Sequence, residues 1–277
     1  GTETGTVVVK DIDVGVTSSN PTNLTNINGT LFFSASDGVN GIELWKSDGT
    51  EAGTMMVKDI FAGSITSNPK LMTNVNGTLF LSANDGVNGA ELWKSDGTET
   101  GTVMVKDINA GAGSSSPSHL VNVNGSLFFT ANDGVNGTEL WKSDGTVAST
   151  VVVKDINIGT NSSNPSFLAN ENGILFFRAN DGISGTEFWK SDGTEAGTVM
   201  VKDINAGAGN SNPILFTNIN GTLYFVANNG ISGSELWKSD GTEVGTVLIK
   251  DIRTGTVSST SNELTNVNGI LFFRAND

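Results

Sequence analysis

Short apolar runs, broken at regular intervals by Gly, Asn, Asp, Ser and Thr, extend from one end of the chain to the other, and none continues at helical spacing. In one stretch Leu71–Asn76, Thr78–Ala83, Ala90–Ser95 and Thr102–Ile108 read as four strands. Asn76-Gly77 is a hairpin signal between the first two, because a type I′ turn needs positive φ at both centres and this dipeptide adopts it at little cost. Asp85-Gly86 to Gly89 turns the second strand into the third, and Asp96-Gly97 to Gly101 turns the third into the fourth. The stretch from Gly63 to Pro69 leads onward. Leu-Phe-Phe at Leu31–Phe33 and Leu127–Phe129 puts apolar side chains on both faces of one strand, so these sheets are expected to be covered on both sides.

The pattern repeats without a slip. Trp45, Trp93, Trp141, Trp189 and Trp237 stand 48 residues apart, ELWKSDGT recurs at Glu43, Glu91, Glu139 and Glu235, and EFWKSDGT at Glu187. Lys10, Lys58, Lys106, Lys154, Lys202 and Lys250 keep one phase, as do the five prolines, with Ser261 in that place in the last copy. The chain therefore reads as a single repeat domain over 1–277: a leading strand in 1–12, units 13–60, 61–108, 109–156, 157–204 and 205–252, and a partial unit 253–277. Four antiparallel strands per 48 residues fit an all-β fold, a β-propeller of four-stranded blades, six if the ring closes, with the last blade incomplete. The alternative is a parallel β-helix, whose coils are about half as long. In the propeller reading Thr6–Ile12 is a fourth strand without its own blade and Leu264–Asp277 gives the first two strands of the last one. Unpaired edges at such ends are expected to associate.

Composition narrows the function. A net charge of −14 and a pI near 4.3 disfavour nucleic acid and anionic membrane surfaces. The absence of Cys removes disulfides, thiolate zinc sites and thiol nucleophiles. No apolar run is long enough to span a membrane, and the first residues do not read as a secretory leader. The acidity is spread over the units, so it belongs to the scaffold.

The ELWKSDGT strings carry a resemblance: the unit is similar to the ELWxxDGT repeat, also called hyalin-like, of large secreted or surface bacterial proteins, cyanobacterial ones among them. Phe188 is the one departure from ELW. The resemblance spans the chain and implies a propeller-like fold, an extracellular or cell-surface location and no established catalytic residues. A lesser likeness to quinoprotein blades rests on Ala83, Asp85, Gly89 and Trp93, with Asn88 where that motif has Thr. It implies propeller geometry alone.

Candidate chemistry lies at a few recurring positions. A simple hairpin count places Ser95 opposite Thr102, Trp93 opposite Met104 and Glu91 opposite Lys106, and likewise Glu43 with Lys58, Glu139 with Lys154, Glu187 with Lys202 and Glu235 with Lys250, one cross-strand ion pair per blade. The Trp rings are expected in the packing between blades, with sugar stacking as the competing role. Asp85, Asn88 and Glu91, like Asp37, Asn40 and Glu43, form a spacing that could hold Ca²⁺, although Asp-Gly turn chemistry accounts for it and Ser184, Ser232 and Asn229 interrupt it. His119, the only His, replaces Asn23, Leu71, Phe167, Leu215 or Glu263 of the other copies and is expected at a strand start, not as a general base. No catalytic, cofactor-binding or metal-binding residue is therefore assigned, and no cofactor. Variation concentrates in Asp13–Leu24, Phe61–Met72, Asn109–Leu120, Asn157–Leu168, Asn205–Phe216 and Arg253–Leu264, loops expected on one face. These features point to a non-enzymatic structural or adhesive module, its partners neighbouring repeats, copies of itself, other surface proteins or glycans. A lectin-like or protein-binding propeller that uses the variable loops is the alternative.

Overall fold

The computed structural model describes residues 1–277. It contains strands and turns only, and no helix is long and apolar enough to cross a membrane. The chain forms two compact units, one of residues 1–134 and 143–150, the other of residues 135–142 and 151–277.

In the first unit β1 (Thr22–Ile27), β2 (Thr30–Ser36), β3 (Ile42–Ser47) and β4 (Met55–Lys58) form one antiparallel sheet in sequential order. The next sheet repeats it with β5 (Lys70–Val75), β6 (Thr78–Asn84), β7 (Ala90–Ser95) and β8 (Val103–Lys106), and β9 (Ser118–Val123) with β10 (Ser126–Asn132) makes a further hairpin. The second unit has the β11 (Thr138–Ser143) and β12 (Val151–Lys154) hairpin. It then has a sheet of β13 (Ser166–Glu171), β14 (Ile174–Asn180), β15 (Thr186–Ser191) and β16 (Val199–Lys202), and another of β17 (Ile214–Ile219), β18 (Thr222–Asn228), β19 (Ser234–Ser239) and β20 (Val247–Lys250). A hairpin of β21 (Asn262–Val267) and β22 (Ile270–Arg274) ends it. The strands expected between Leu71 and Ile108 are all present, with ends shifted by a few residues. Asn76 and Gly77 have φ of 51° and 85°, the two left-handed centres that the Asn-Gly turn requires.

Both faces of each complete sheet are covered. Leu79, Phe80 and Leu81 in succession are all buried. In the first unit Ile27, Phe32, Leu44, Val57 and Ile60 of one sheet pack on Leu79, Leu81, Ala83 and Trp93 of the next. In the second unit Phe188 stacks on Phe225 at 4.8 Å between ring centres, with Phe176 and Phe216 each 5.6 Å away, so the one departure from ELW fills an aromatic cluster.

Polar bonds join each repeat to the next. Lys46 Nζ donates to Gly97 O and Lys94 Nζ to Gly145 O in the first unit; Lys142 donates to Gly193 O and Lys190 to Gly241 O in the second, all at 2.8 Å. A second ladder runs from Lys58 Nζ to Thr102 O and from Lys154 Nζ to Thr198 O, each 2.9 Å. The turn favours glycine on two counts: Gly97 has φ of 87°, and a Cβ on it would crowd the Phe32 ring at 3.1 Å.

One expectation fails at the amino terminus. Thr6–Ile12 is not a strand, and Val7 and Val8 are exposed. Lys10 Nζ still donates to Thr54 O at 2.8 Å, the bond its counterparts make, so the segment occupies a fourth strand's place. No strand pairs with it, and a lone segment has no ladder to join. At the other end Leu264–Asp277 falls in the β21–β22 hairpin, as expected.

Replacing Gly97 by Ala is expected to lower unfolding free energy by more than about 1 kcal/mol, because it adds backbone strain to a crowded contact. Equilibrium denaturation checks this, with Gly111→Ala, whose Cβ would meet nothing within 4 Å although φ is 96°, separating strain from crowding.

Candidate functional site

The recurring Glu was expected opposite Lys, and the structure corrects this. Trp93 pairs with Met104 as counted, and Ser95 Oγ lies 2.7 Å from Thr102 Oγ1, but a bulge between Leu92 and Trp93 puts Leu92, not Glu91, opposite Lys106. The same shift pairs Leu44 with Lys58, Leu140 with Lys154, Phe188 with Lys202 and Leu236 with Lys250. An inserted residue in a ladder reverses the faces beyond it, so a count that assumes an unbroken hairpin fails after Trp93.

Freed from Lys, the Glu91 carboxylate turns to the loop leading into the next repeat. Oε2 accepts from Ile108 N at 2.9 Å and from Ser115 Oγ at 2.6 Å, and Oε1 accepts from Ser115 N at 2.7 Å. Glu43 makes the same three bonds with Ile60 and Ser67, Glu139 with Ile156 and Ser163, and Glu187 with Ile204 and Ser211. In the last copy Glu235 keeps the Ile252 and Ser259 amides, while Ser259 Oγ lies 2.8 Å from Ser261 Oγ, the residue in the proline's place. Every one of these glutamates is fully buried. Burial pushes the carboxyls of Glu43, Glu91, Glu139 and Glu187 up, against the donated hydrogen bonds that pull them down, and for Glu91 the nearby Asp107 charge adds to the rise.

All the Trp rings are buried in the packing, and Trp237 Nε1 donates to Ala227 O at 3.0 Å, so none is a surface platform for sugars. Asp85 Oδ1 accepts from Val87 N and Asn88 N, and its Oδ2 from Asn88 Nδ2, an Asx turn closed on itself. Glu91 is engaged at Ile108 and Ser115, so the three residues of that spacing are not aimed at a common ligand. His119 is exposed at φ of 52°, its Nδ1 3.4 Å from Thr130 Oγ1.

That φ exposes a feature the sequence reading missed. Asn23, Leu71 and His119 in the first unit, and Phe167, Leu215 and Glu263 in the second, all have φ between 52° and 61°. Each sits in a bulge of the first strand of its repeat, just after a residue paired with one position of the second strand: Thr22 with Ser34, Lys70 with Ser82 and Ser118 with Thr130 in the first unit. In the second unit Ser166 pairs with Arg178, Ile214 with Val226 and Asn262 with Arg274. The bulge gathers three variable positions per repeat into one corner. Corners of successive repeats adjoin, as where Asn23 Nδ2 donates to Pro69 O, the residue before Lys70. The signal was present in the sequence: Ser34, Ser82, Thr130, Arg178, Val226 and Arg274 vary inside an otherwise repetitive strand. The variable loops, by contrast, are partly anchored, since Ser67, Ser115, Ser163 and Ser211 are the buried partners of the glutamates.

The two sets of carboxylates give stability opposing pH dependences. Those raised above 4.5 contribute stability present at low pH and lost as pH rises through their folded values. Asp37 and Asp85, held below 3.8 by hydrogen bonds from Asn40 and Val39 and from Asn88 and Val87 that outweigh desolvation, contribute stability present above 3.8 and lost as pH falls. Thermal melting across pH is expected to give a higher midpoint near pH 5 than at pH 7.5 and a decline below about pH 3.5. Glu91→Gln should flatten the upper limb and lower stability at every pH, since an amide NH₂ then faces a backbone donor.

No protein-family model matches the chain, and no curated protein matches its sequence. Solved structures resemble it. One from a study of two prolyl endopeptidases superposes with a TM-score of 0.55 at 12% identity, over 92% of this chain and 39% of that one. A puromycin hydrolase S511A mutant complexed with PGG gives 0.49 at 12% identity, over 91% and 42%. A gluconolactonase from Xanthomonas campestris gives 0.41 at 15% identity, over 88% and 79%. The chain thus spans about two fifths of the length of the peptidases it resembles. Their matching portions are β-propeller domains, and the likeness, with the repeated four-stranded antiparallel sheets, gives this chain an all-β, β-propeller architecture.

Proposed function

We propose that the chain is a non-enzymatic structural or adhesive repeat module of an extracellular or cell-surface bacterial protein of the ELWxxDGT type. The observation that supports this most directly is where the recurring reactive groups go. Glu91 is bound into the loop leading to the next repeat, Lys94 and Lys106 reach across to Gly145 and Thr150, and Asp96 closes its own turn on Thr98. Carboxylates and ammoniums engaged identically in successive repeats serve cohesion, and an active site needs an asymmetric set of free groups.

Neighbouring repeats, copies of itself and other surface proteins are the partners in this reading. A second reading, a binding propeller for glycans or proteins, is favoured by the bulge corners, which carry different side chains in each repeat on one framework. Neither reading requires a metal or cofactor, and the charge of −14 disfavours nucleic acid.

Sedimentation velocity over a wide concentration range tests the assembly. The chain is expected to form a concentration-dependent series, and a single monomeric species at every concentration overturns self-assembly as part of this reading. Chelator is expected to leave both the series and the melting temperature unchanged.

A further inference from the structure

Among the bulge corners, that of Ser166, Phe167 and Arg178 differs in kind. At the second-strand position the first unit has hydroxyls: Ser34 Oγ donates to Pro69 O, and Thr130 Oγ1 lies 2.6 Å from Ser118 Oγ. Arg178 instead places a half-buried guanidinium there. Its Nε donates to Ser166 Oγ at 2.9 Å, and its central carbon lies 4.5 Å from the centre of the Phe167 ring. The two terminal amino groups have no partner in the protein. Burial lowers its pKa, and no carboxylate acts to restore it, although the chain has 29 acidic residues.

A guanidinium withdrawn from water loses hydration, which charge-assisted hydrogen bonds normally replace. Here Ser166 fixes the plane by one edge, and Phe167, 44% exposed and held at φ of 56° by the bulge, supports it from below. The end of the fork is left open, the geometry that binds the two oxygens of a carboxylate side by side. Arg274 does not repeat the site: it is exposed, and its Nε donates to Asn262 Oδ1 at 3.1 Å.

We propose that Arg178, oriented by Ser166 and Phe167, is the anchoring group of a binding site for a single carboxylate on an otherwise uncharged molecule. The restriction to one charge follows from the scaffold: a net charge of −14 repels polyanions, while one carboxylate meeting a half-buried guanidinium at close range is bound locally. The site rests on the binding reading of the bulge corners and names the chemistry of one of them.

Side-chain nitrogen NMR of the labelled chain tests it, with methyl α-D-glucuronide as probe and the neutral methyl α-D-glucoside as control. The glucuronide is expected to shift the Arg178 Nε–H resonance saturably, and the glucoside to leave it unmoved. Arg178→Ser introduces the residue that Ser34 and Ser82 supply at this position, so the fold is expected to persist, and affinity should fall at least about tenfold with the loss of a charge-assisted pair. Arg274→Gln should bind as the parent does. Equal affinity for N-acetylglycine would assign recognition to the carboxylate itself, and tighter binding of the glucuronide would add a contact to the sugar. No saturable shift at Arg178, or undiminished glucuronide binding by Arg178→Ser, overturns the proposal. Saturable glucoside binding that survives Arg178→Ser overturns the carboxylate site while leaving the corners a role in binding.

Discussion

A fully buried glutamate beside a β-bulge ties each repeat to the connection that follows it, and most of the architecture depends on that bond. The connection between Ile108 and Ser115 has no ladder of its own, and its inward amides would otherwise be buried without partners. One carboxylate accepts from both ends of it through Ile108 N, Ser115 N and Ser115 Oγ. An ionised carboxylate presents acceptors alone, which suits three donors, whereas an amide in its place would turn a donor toward one of them. Desolvation opposes this arrangement and the hydrogen bonds offset it, so the residue is both indispensable and sensitive to pH.

The bulge is what makes the glutamate available. In an unbroken hairpin Glu91 would face Lys106 across the sheet, and the pair would satisfy itself within one repeat. With Val105 left unpaired between the Leu92–Lys106 and Trp93–Met104 pairs, Lys106 comes opposite Leu92, Glu91 turns to the next loop, and Lys106 Nζ reaches Thr150 O of the next turn. Two charges that a simple register would pair are thereby redirected into two separate links between repeats. The cohesion of the array comes from this division together with two-sided apolar burial.

How much of this was legible in the sequence depended on the range of the interaction. Asn76-Gly77 and Asp96-Gly97 fix local backbone conformation, and the turns appear where the dipeptides stand. The Leu-Phe-Phe runs foretold burial on both faces because alternation fails there, and Leu127, Phe128 and Phe129 are all buried. The Glu–Lys pairing was misread because a bulge leaves no composition signal when the inserted residue is itself apolar. Thr6–Ile12 carries the residues of a strand, but a strand is a property of its neighbours as much as of its own side chains. The left-handed residues were hidden for a related reason: Leu71, His119 and Phe167 have no local preference for positive φ, and only the surrounding ladder imposes it.

That imposed conformation also separates what recurs from what varies. A position whose backbone is fixed by the sheet tolerates Asn, Leu, His, Phe or Glu because its side chain is directed outward and contributes little to the core. The positions that build the repeat are constrained by both packing and hydrogen bonding, as Gly97 is by the Phe32 ring and Ser115 by Glu91. A repeat protein of this kind can change its corners one at a time without disturbing the bonds between repeats. The guanidinium at Arg178, where the first unit has hydroxyls, is the sort of difference such a framework permits, since Ser166 and Phe167, which hold it, belong to the same corner.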